Sequence, residues 1–317
     1  MTEFELINRY FNRAAECSSV VLGVGDDCSL LQLPEQRQLA ISVDTLVADV
    51  HFPANADPAS IAERALCVSL SDLAAMGAEP LWFTLCLTLP EASEPWVSAF
   101  SRGLFRVASE YRCELVGGDT TRGPLAISIQ VMGAVSPDCA FTRGGAQVGD
   151  LVYVTGTLGD GAAGLAGLKQ MLKLDSKAFE YLSRRYYHPV PRFDAARKIV
   201  GLASAAIDIS DGLVADLGHI CRASEVAANI HLECLPLSPA LLQWASLSQQ
   251  HQWALGGGDD YQLCFTVSPS NVEAVETLID RGLDACVIGD IVSGSDVHPY
   301  LRGERFSSSS TGYQHFG

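Results

Sequence analysis

Apolar positions along the chain alternate between helical spacing and short strand-like runs, and this alternation predicts most of the elements. Residues 3–16 place Phe4, Ile7, Phe11 and Ala14 on one face of an amphipathic helix. Short strands are expected near 20–24 and 38–43. Asp57-Pro58 then offers an N-cap and a proline at the first helical position, so a helix should run to about Met76 and stop at Gly77. A strand from Trp82 to Leu89, a helix over about 95–111 and strands at 114–117 and 125–133 complete the first half. The polar, Gly-rich segment FTRGGAQVGD (141–150) reads as a domain boundary, giving domains 1–142 and 143–317. The second half opens with the strand LVYVTG. Helices are expected near 161–171, 176–186, 192–204 and 211–223, and strands near 205–209, 227–232, 262–267 and 284–290. This order is that of an α/β (α+β) protein. The four serines 307–310 read as a surface loop.

Composition narrows the function classes. Of 317 residues, 48% are hydrophobic and only 18% charged, which supports a sizeable core and argues against broad disorder. The net charge of −16 makes nucleic acid and acidic membranes poor partners, since both are bound through basic patches. The ten cysteines form no CxxC pair and match no zinc spacing, so they read as reduced thiols. The start MTEFELINRY is not a secretory leader, and no apolar run is long enough to span a bilayer; a cytoplasmic protein is expected.

The chemistry is carried by acids. GVGDDCSL puts Asp26 and Asp27 side by side on a Gly-rich turn. Gly-Asp occurs six times, which by itself is ordinary turn chemistry. Asp27, Asp44 (SVDTL) and Asp119 (GGDTT) stand apart, because each falls at or just beyond a predicted strand end where side chains can converge on a sheet edge. Several carboxylates and hydroxyls there would suit Mg²⁺, which prefers hard oxygen ligands and substrate phosphates. Asp72 interrupts a strong apolar helix; the ordinary explanation is a solvent-facing residue, the sharper one a metal ligand. In IDISDGL, Asp208 ends a strand and Ser210 or Asp211 could cap the next helix, but a cap does not explain both acids. TGTLGDGAAGL (155–165) contains a formal GxGxxG, yet no second strand with a ribose-binding acid follows, so a plain strand-to-helix connection is favoured over a dinucleotide turn. No Gly-Lys dipeptide exists for a Walker loop. Arg122 and Arg143 sit in Gly-rich loops suited to clamping phosphate. His51 is a lone histidine, a type more often structural than catalytic, and no nucleophile–base arrangement emerges.

Taken in order, GVGDDCSL, ISVDTLVADVHF, LSDLAAMGAEP, LVGGDTTRGP, FTRGGAQVGD, AIDISDGL and GGGDDYQLCF resemble the thiamine-monophosphate kinase family, of the aminoimidazole ribonucleotide synthetase-like ATP-binding superfamily, over nearly the whole chain. The resemblance implies phosphorylation of thiamine monophosphate by ATP with several Mg²⁺, and an N-terminal domain that dimerises through its sheet, followed by a C-terminal α+β domain. It implies Asp27, Ser42, Val43, Asp44, Asp72, Asp119, Asp208 and Asp211 as metal ligands. Gly118, Asp119, Arg143 and Ser210 would touch ATP, and His51, Asp259 and Tyr313 the thiamine phosphate. Two positions depart from the family pattern. Val43 replaces a frequent Thr, leaving only a backbone carbonyl as ligand, and Asp259 replaces the usual Glu. No general base is assigned, because a phosphate acceptor is already largely ionised at neutral pH. The competing expectations are another ATP-dependent synthetase of the superfamily, a nicotinamide-dependent oxidoreductase, or a non-catalytic metal- or nucleotide-binding protein.

Overall fold

A computed structural model describes residues 3–14, 16–24, 28–306 and 312. The chain divides into two compact units, Met1–Leu73 with Ala78–Asp138, and Ala74–Gly77 with Cys139–Gly317. The serines 307–310 lie outside the described residues.

The first unit begins with helix α1 (Glu3–Tyr10), shorter than the periodicity predicts. The amides of Phe11 and Asn12 both bond to the carbonyl of Ile7, which closes the helix there. Leu6 and Phe11 are buried, whereas Ala14 is exposed. Strands β1 (Val20–Leu22) and β2 (Leu30–Leu31) pair antiparallel as a separate ribbon. The main sheet is built from β3 (Gln38–Val47), β4 (Glu79–Leu89), β5 (Glu114–Arg122) and β6 (Ala126–Val135), in the order β3-β6-β4-β5. β3 and β5 run longer than expected, because Thr45-Leu46-Val47 and Thr120-Thr121-Arg122 go on pairing with β6 and β4. Asp44 and Asp119 therefore stand inside strands, not at their ends.

Two helices belong to this unit's core. α2 (Pro58–Ala75) starts on Asp57, whose carboxylate accepts the Ser60 amide at 2.9 Å, as the cap reading requires. It ends before Gly77, which adopts φ +66°, and from Ile61 onward it is buried on nearly every side. α3 (Glu94–Tyr111) connects the parallel neighbours β4 and β5. A Cβ on Gly103 of α3 would come within 2.3 Å of the Ala59 carbonyl, so a glycine is needed for the two helices to touch.

The second unit carries a seven-stranded sheet: β7 (Leu151–Thr155), β8 (Ala203–Asp208), β9 (Ala227–His231), β10 (Leu263–Val267), β11 (Ala285–Val292), β12 (Asp296–Leu301) and β13 (Glu304–Arg305). Their order is β13-β12-β9-β11-β7-β10-β8, and only β12 and β9 run parallel. Its helices are α4 (Asp160–Leu168), α5 (Ser176–Tyr187), α6 (Phe193–Ile199), α7 (Leu213–Ser224), α8 (Pro239–Trp244), α9 (Leu247–Gly256) and α10 (Val272–Asp280). Alternate residues of β7 enter different cores: Val152 and Val154 pack with α7 and α9, while Tyr153 packs with Phe265, α6 and α10. The pattern had predicted one helix over 192–204; instead α6 ends at Ile199, Gly201 turns at φ +75°, and β8 begins at Ala203.

Candidate active site

In the first unit the inner face of β3 meets α2. Along β3, Leu39, Ile41, Val43 and Thr45 are exposed, while Ala40, Ser42, Asp44 and Leu46 turn to the other face, as strand periodicity demands. There the Ser42 hydroxyl donates to the carboxylate of Asp72. Asp44 lies beside the same group. Its pKa is pushed up to about 6, by burial first and by the negative charge of Asp72 second, against the pull of the Ser69 hydroxyl. Asp72 is thus not a solvent-facing helical residue but half of an acid pair. The donors gathered here, two carboxylates and two serine hydroxyls, are all oxygen, the set a hard divalent cation takes.

Other implied ligands fall elsewhere. The Val43 side chain points to the opposite, exposed face, so it offers nothing to this group beyond its backbone. Asp119 is in register with Cys86, which in turn faces Ser128 and Thr45, so it too belongs to the outer face, on the edge strand β5. Its neighbour Gly118 (φ +149°) is required by space, since a Cβ would lie 1.9 Å from the Leu85 carbonyl. Asp26, Asp27 and Tyr313 lie outside the described residues. Among the described residues no three His, Cys, Asp or Glu side chains gather as a metal-holding group. His51 is partly buried; its Nδ1 accepts the Val47 amide at 2.9 Å, which leaves the ring proton on Nε2. Arg122, at the end of β5, is exposed.

In the second unit Asp208 closes β8 and the chain turns through Ser210, Asp211 and Gly212 into α7. Neither Ser210 nor Asp211 caps that helix. The Asp216 carboxylate, four residues into α7, accepts the amides of Ser210, Asp211 and Gly212, each at 3.0 Å on Oδ2. Burial, reinforced by Asp211, pushes its pKa up to about 7. Against this turn lies the segment 258–261, where Gly258, Asp259 and Tyr261 all have positive φ. The amide of Asp259 donates to the Ser210 carbonyl at 2.8 Å and that of Tyr261 to the Ile209 carbonyl at 2.7 Å. The Tyr261 hydroxyl donates to Asp259 Oδ1 at 3.2 Å. Gly312 also borders the turn: a Cβ there would sit 2.5 Å from that of Ala215 and 3.3 Å from the Asp211 carbonyl. Ser210, Asp211 and Asp259 are therefore one neighbourhood, with Arg143 exposed in the loop before β7 and its carbonyl accepting from Ser224.

The GxGxxG stretch has a different occupant from a nucleotide. The buried Asp260 carboxylate takes the amides of Gly159 and Gly161 at the start of α4, at 2.7 and 3.1 Å. That anion position is filled from within the protein. Gly161 and Gly164 are small for packing: Cβ atoms there would lie 2.3 Å from the carbonyls of Asp259 and Leu182. Sequence reasoning missed Ser69, Asp216, Asp260 and Tyr261. The spacing Asp211…Asp216 in SDGLVAD and the paired acids of GGGDDY were the only signals available.

Comparison with known proteins places the chain in a family. Residues 25–135 match the N-terminal domain, and 147–302 the C-terminal domain, of AIR synthase related proteins. Thiamine-monophosphate kinase of Escherichia coli K12 is 48% identical over 99% of this chain and 98% of its own length. A crystal structure of thiamine-monophosphate kinase from Stenotrophomonas maltophilia K279a superposes with TM-score 0.87 at 43% identity, covering 96% of this chain and 98% of that one. AaThiL complexed with AMPPCP and TMP gives TM-score 0.79 at 33% identity over 92% of each chain.

Proposed function

This chain belongs to the thiamine-monophosphate kinase family and phosphorylates thiamine monophosphate to the diphosphate with ATP; we propose that the transfer is direct and in line, assisted by several Mg²⁺ ions. The observation that carries the metal reading is the Asp44–Asp72 pair with Ser42, an all-oxygen set under mutual repulsion. The acceptor is itself a phosphate with a second pKa near ~6, so no base has to be found for it. The obstacle is charge. Two unit charges ~4 Å apart repel by roughly 4 kcal/mol at an effective dielectric of 20, and the reacting polyanions carry several each. Bound Mg²⁺ would neutralise phosphate oxygens and steady the transferring group.

The chain's own groups divide the work. The ligands this reading calls on are Asp27, Ser42, the Val43 backbone, Asp44, Asp72 and Asp119 of the first unit, Asp119 on the outer face of its sheet, and Asp208 and Asp211 of the second. For the nucleotide it calls on Gly118 and Asp119 of the first unit and on Arg143 and Ser210 of the second: the glycine leaves backbone accessible, the guanidinium suits phosphate oxygens, and the hydroxyl can donate. His51, whose Nδ1 already accepts the Val47 amide, is assigned to the acceptor phosphate through Nε2, and Asp259, steadied by Tyr261, is assigned with Tyr313 to the thiamine moiety. Asp259 is one methylene shorter than the usual Glu, and its positive φ with the Tyr261 hydroxyl fixes where that shorter arm points.

The protein works as a cytoplasmic homodimer in this reading. Leu39, Ile41 and Val43 are 46%, 54% and 62% exposed on one face of an edge strand, an apolar stripe that a second copy would cover. No helix among the described residues is long and apolar enough to cross a membrane.

The test is formation of thiamine diphosphate and ADP by the purified protein, with thiamine monophosphate or Mg²⁺ omitted in turn. Product only in the complete mixture is expected. ADP released at an equal rate without thiamine monophosphate would contradict the assignment.

A further inference from the structure

We propose that Asp216 is a positioning residue that sets both substrate-binding loops of the second unit by placement of one oxygen, not by charge. The proposal rests on the kinase reading above and adds a residue that reading does not use. Asp216 is 3% exposed, so it reaches neither bulk solvent nor an open cleft. Three successive amides, of Ser210, Asp211 and Gly212, converge on its Oδ2 at 3.0 Å each. A turn with three amides aimed at one point is an anion nest. Here the nest is turned inward and filled by the protein's own carboxylate.

The consequence lies on the other side of the turn. With its amides tied inward, the backbone carbonyls of Ile209 and Ser210 face the neighbouring segment and accept the amides of Tyr261 and Asp259. Space fixes the same contact: a Cβ on Gly212 would fall 2.7 Å from the Gly256 Cα, and one on Gly258 would fall 2.6 Å from the Ser210 carbonyl. The turn bearing Ser210 and Asp211 and the segment bearing Asp259 are therefore stitched together, and Asp216 anchors the stitch. If the turn moves, the nucleotide side and the thiamine side move with it.

A single oxygen doing this can be supplied by an amide as well as by a carboxylate. Asp216→Asn keeps a carbonyl oxygen at the Oδ2 position and loses the charge. Asp216→Glu keeps the charge and displaces the oxygen by one methylene. Steady-state kinetics on wild type and both variants, with ATP, thiamine monophosphate and Mg²⁺ each varied, separate the two roles. For Asp216→Asn both KM values should stay within about threefold of wild type, with an unchanged Mg²⁺ requirement. For Asp216→Glu both KM values should rise together by about tenfold or more.

The reverse order, Glu tolerated and Asn inactive with a raised Mg²⁺ requirement, would make Asp216 an electrostatic or ligating group and overturn the proposal. Two variants with wild-type KM values would overturn it as well. Should Asp216→Glu not fold, Asp216→Asn decides alone, because a charge-dependent role predicts its loss. Wild-type turnover in the same assay tests the kinase reading separately.

Discussion

The hydroxyl of Ser42, on a strand, donates to the carboxylate of Asp72, on a helix thirty positions later, and Asp44 shares their pocket. An acid pair of this kind costs stability, because burial and the charge of Asp72 oppose ionisation of Asp44. Asp72→Asn keeps an acceptor for Ser42 and removes the opposing charge. Its melting temperature should equal or exceed wild type, while turnover at saturating Mg²⁺ falls by about a hundredfold or more. Calorimetry and ADP release read the two effects on one sample. Near-normal turnover would remove Asp72 from the metal reading.

Tyr261→Phe tests the substrate side alone. It deletes the hydroxyl that donates to Asp259 at 3.2 Å and keeps the backbone bond from Tyr261 to Ile209. The KM for thiamine monophosphate should rise by about three- to tenfold, the net worth of one ordinary hydrogen bond, while the KM for ATP holds.

The exposed stripe on β3 predicts an interface. Ile41→Asp places a charge in the middle of it, on the face away from Ser42 and Asp44. Light scattering after size exclusion should show a dimer for wild type and a monomer for the variant. A wild-type monomer at micromolar concentration would contradict the dimer.

Asp260 predicts a pH dependence. Its pKa is raised from 3.8 to about 7, chiefly by burial, so the neutral form is favoured in the folded state. An acid with a raised folded pKa stabilises fully below its unfolded pKa and loses that contribution as pH rises through the folded value. The stability of wild type relative to Asp260→Asn should therefore be highest near pH 4 and fall through pH 7, by up to about 4 kcal/mol. Denaturant titrations at several pH values measure it, and a flat difference would contradict the burial argument. The asparagine keeps one of the two amide contacts with Gly159 and Gly161, which adds a constant offset and leaves the slope intact.

What the sequence made legible was the chemistry that breaks a local rule. Asp72 stood out because an acid has no reason to be in so apolar a helix, and the helix is indeed buried on nearly every side. The Asp57-Pro58 start and Gly77 stop were readable because capping is local. Tertiary consequences were not readable. Asp44 and Asp119 seemed to follow strands because Asp and Gly disfavour them, yet pairing with β6 and β4 carries both strands onward. The cap expected from Ser210 or Asp211 is absent; instead Asp216, a residue that reads as an ordinary polar position of α7 until the chain folds back, ties the amides of the turn before the helix. The GxGxxG glycines likewise serve contacts with Asp259 and Leu182, which no window of sequence contains. Helices α8, α9 and α10 escaped because they are short, and α8 and α9 follow one another across a break of two residues.

The most direct test of the account is the stereochemical course at the transferred phosphorus. ATP made chiral at the γ-phosphoryl group with oxygen isotopes is turned over with thiamine monophosphate, and the configuration of the new diphosphate is read by phosphorus NMR. A single in-line transfer between two substrates held side by side predicts inversion; retention would require a phosphorylated intermediate on the protein and would contradict the mechanism.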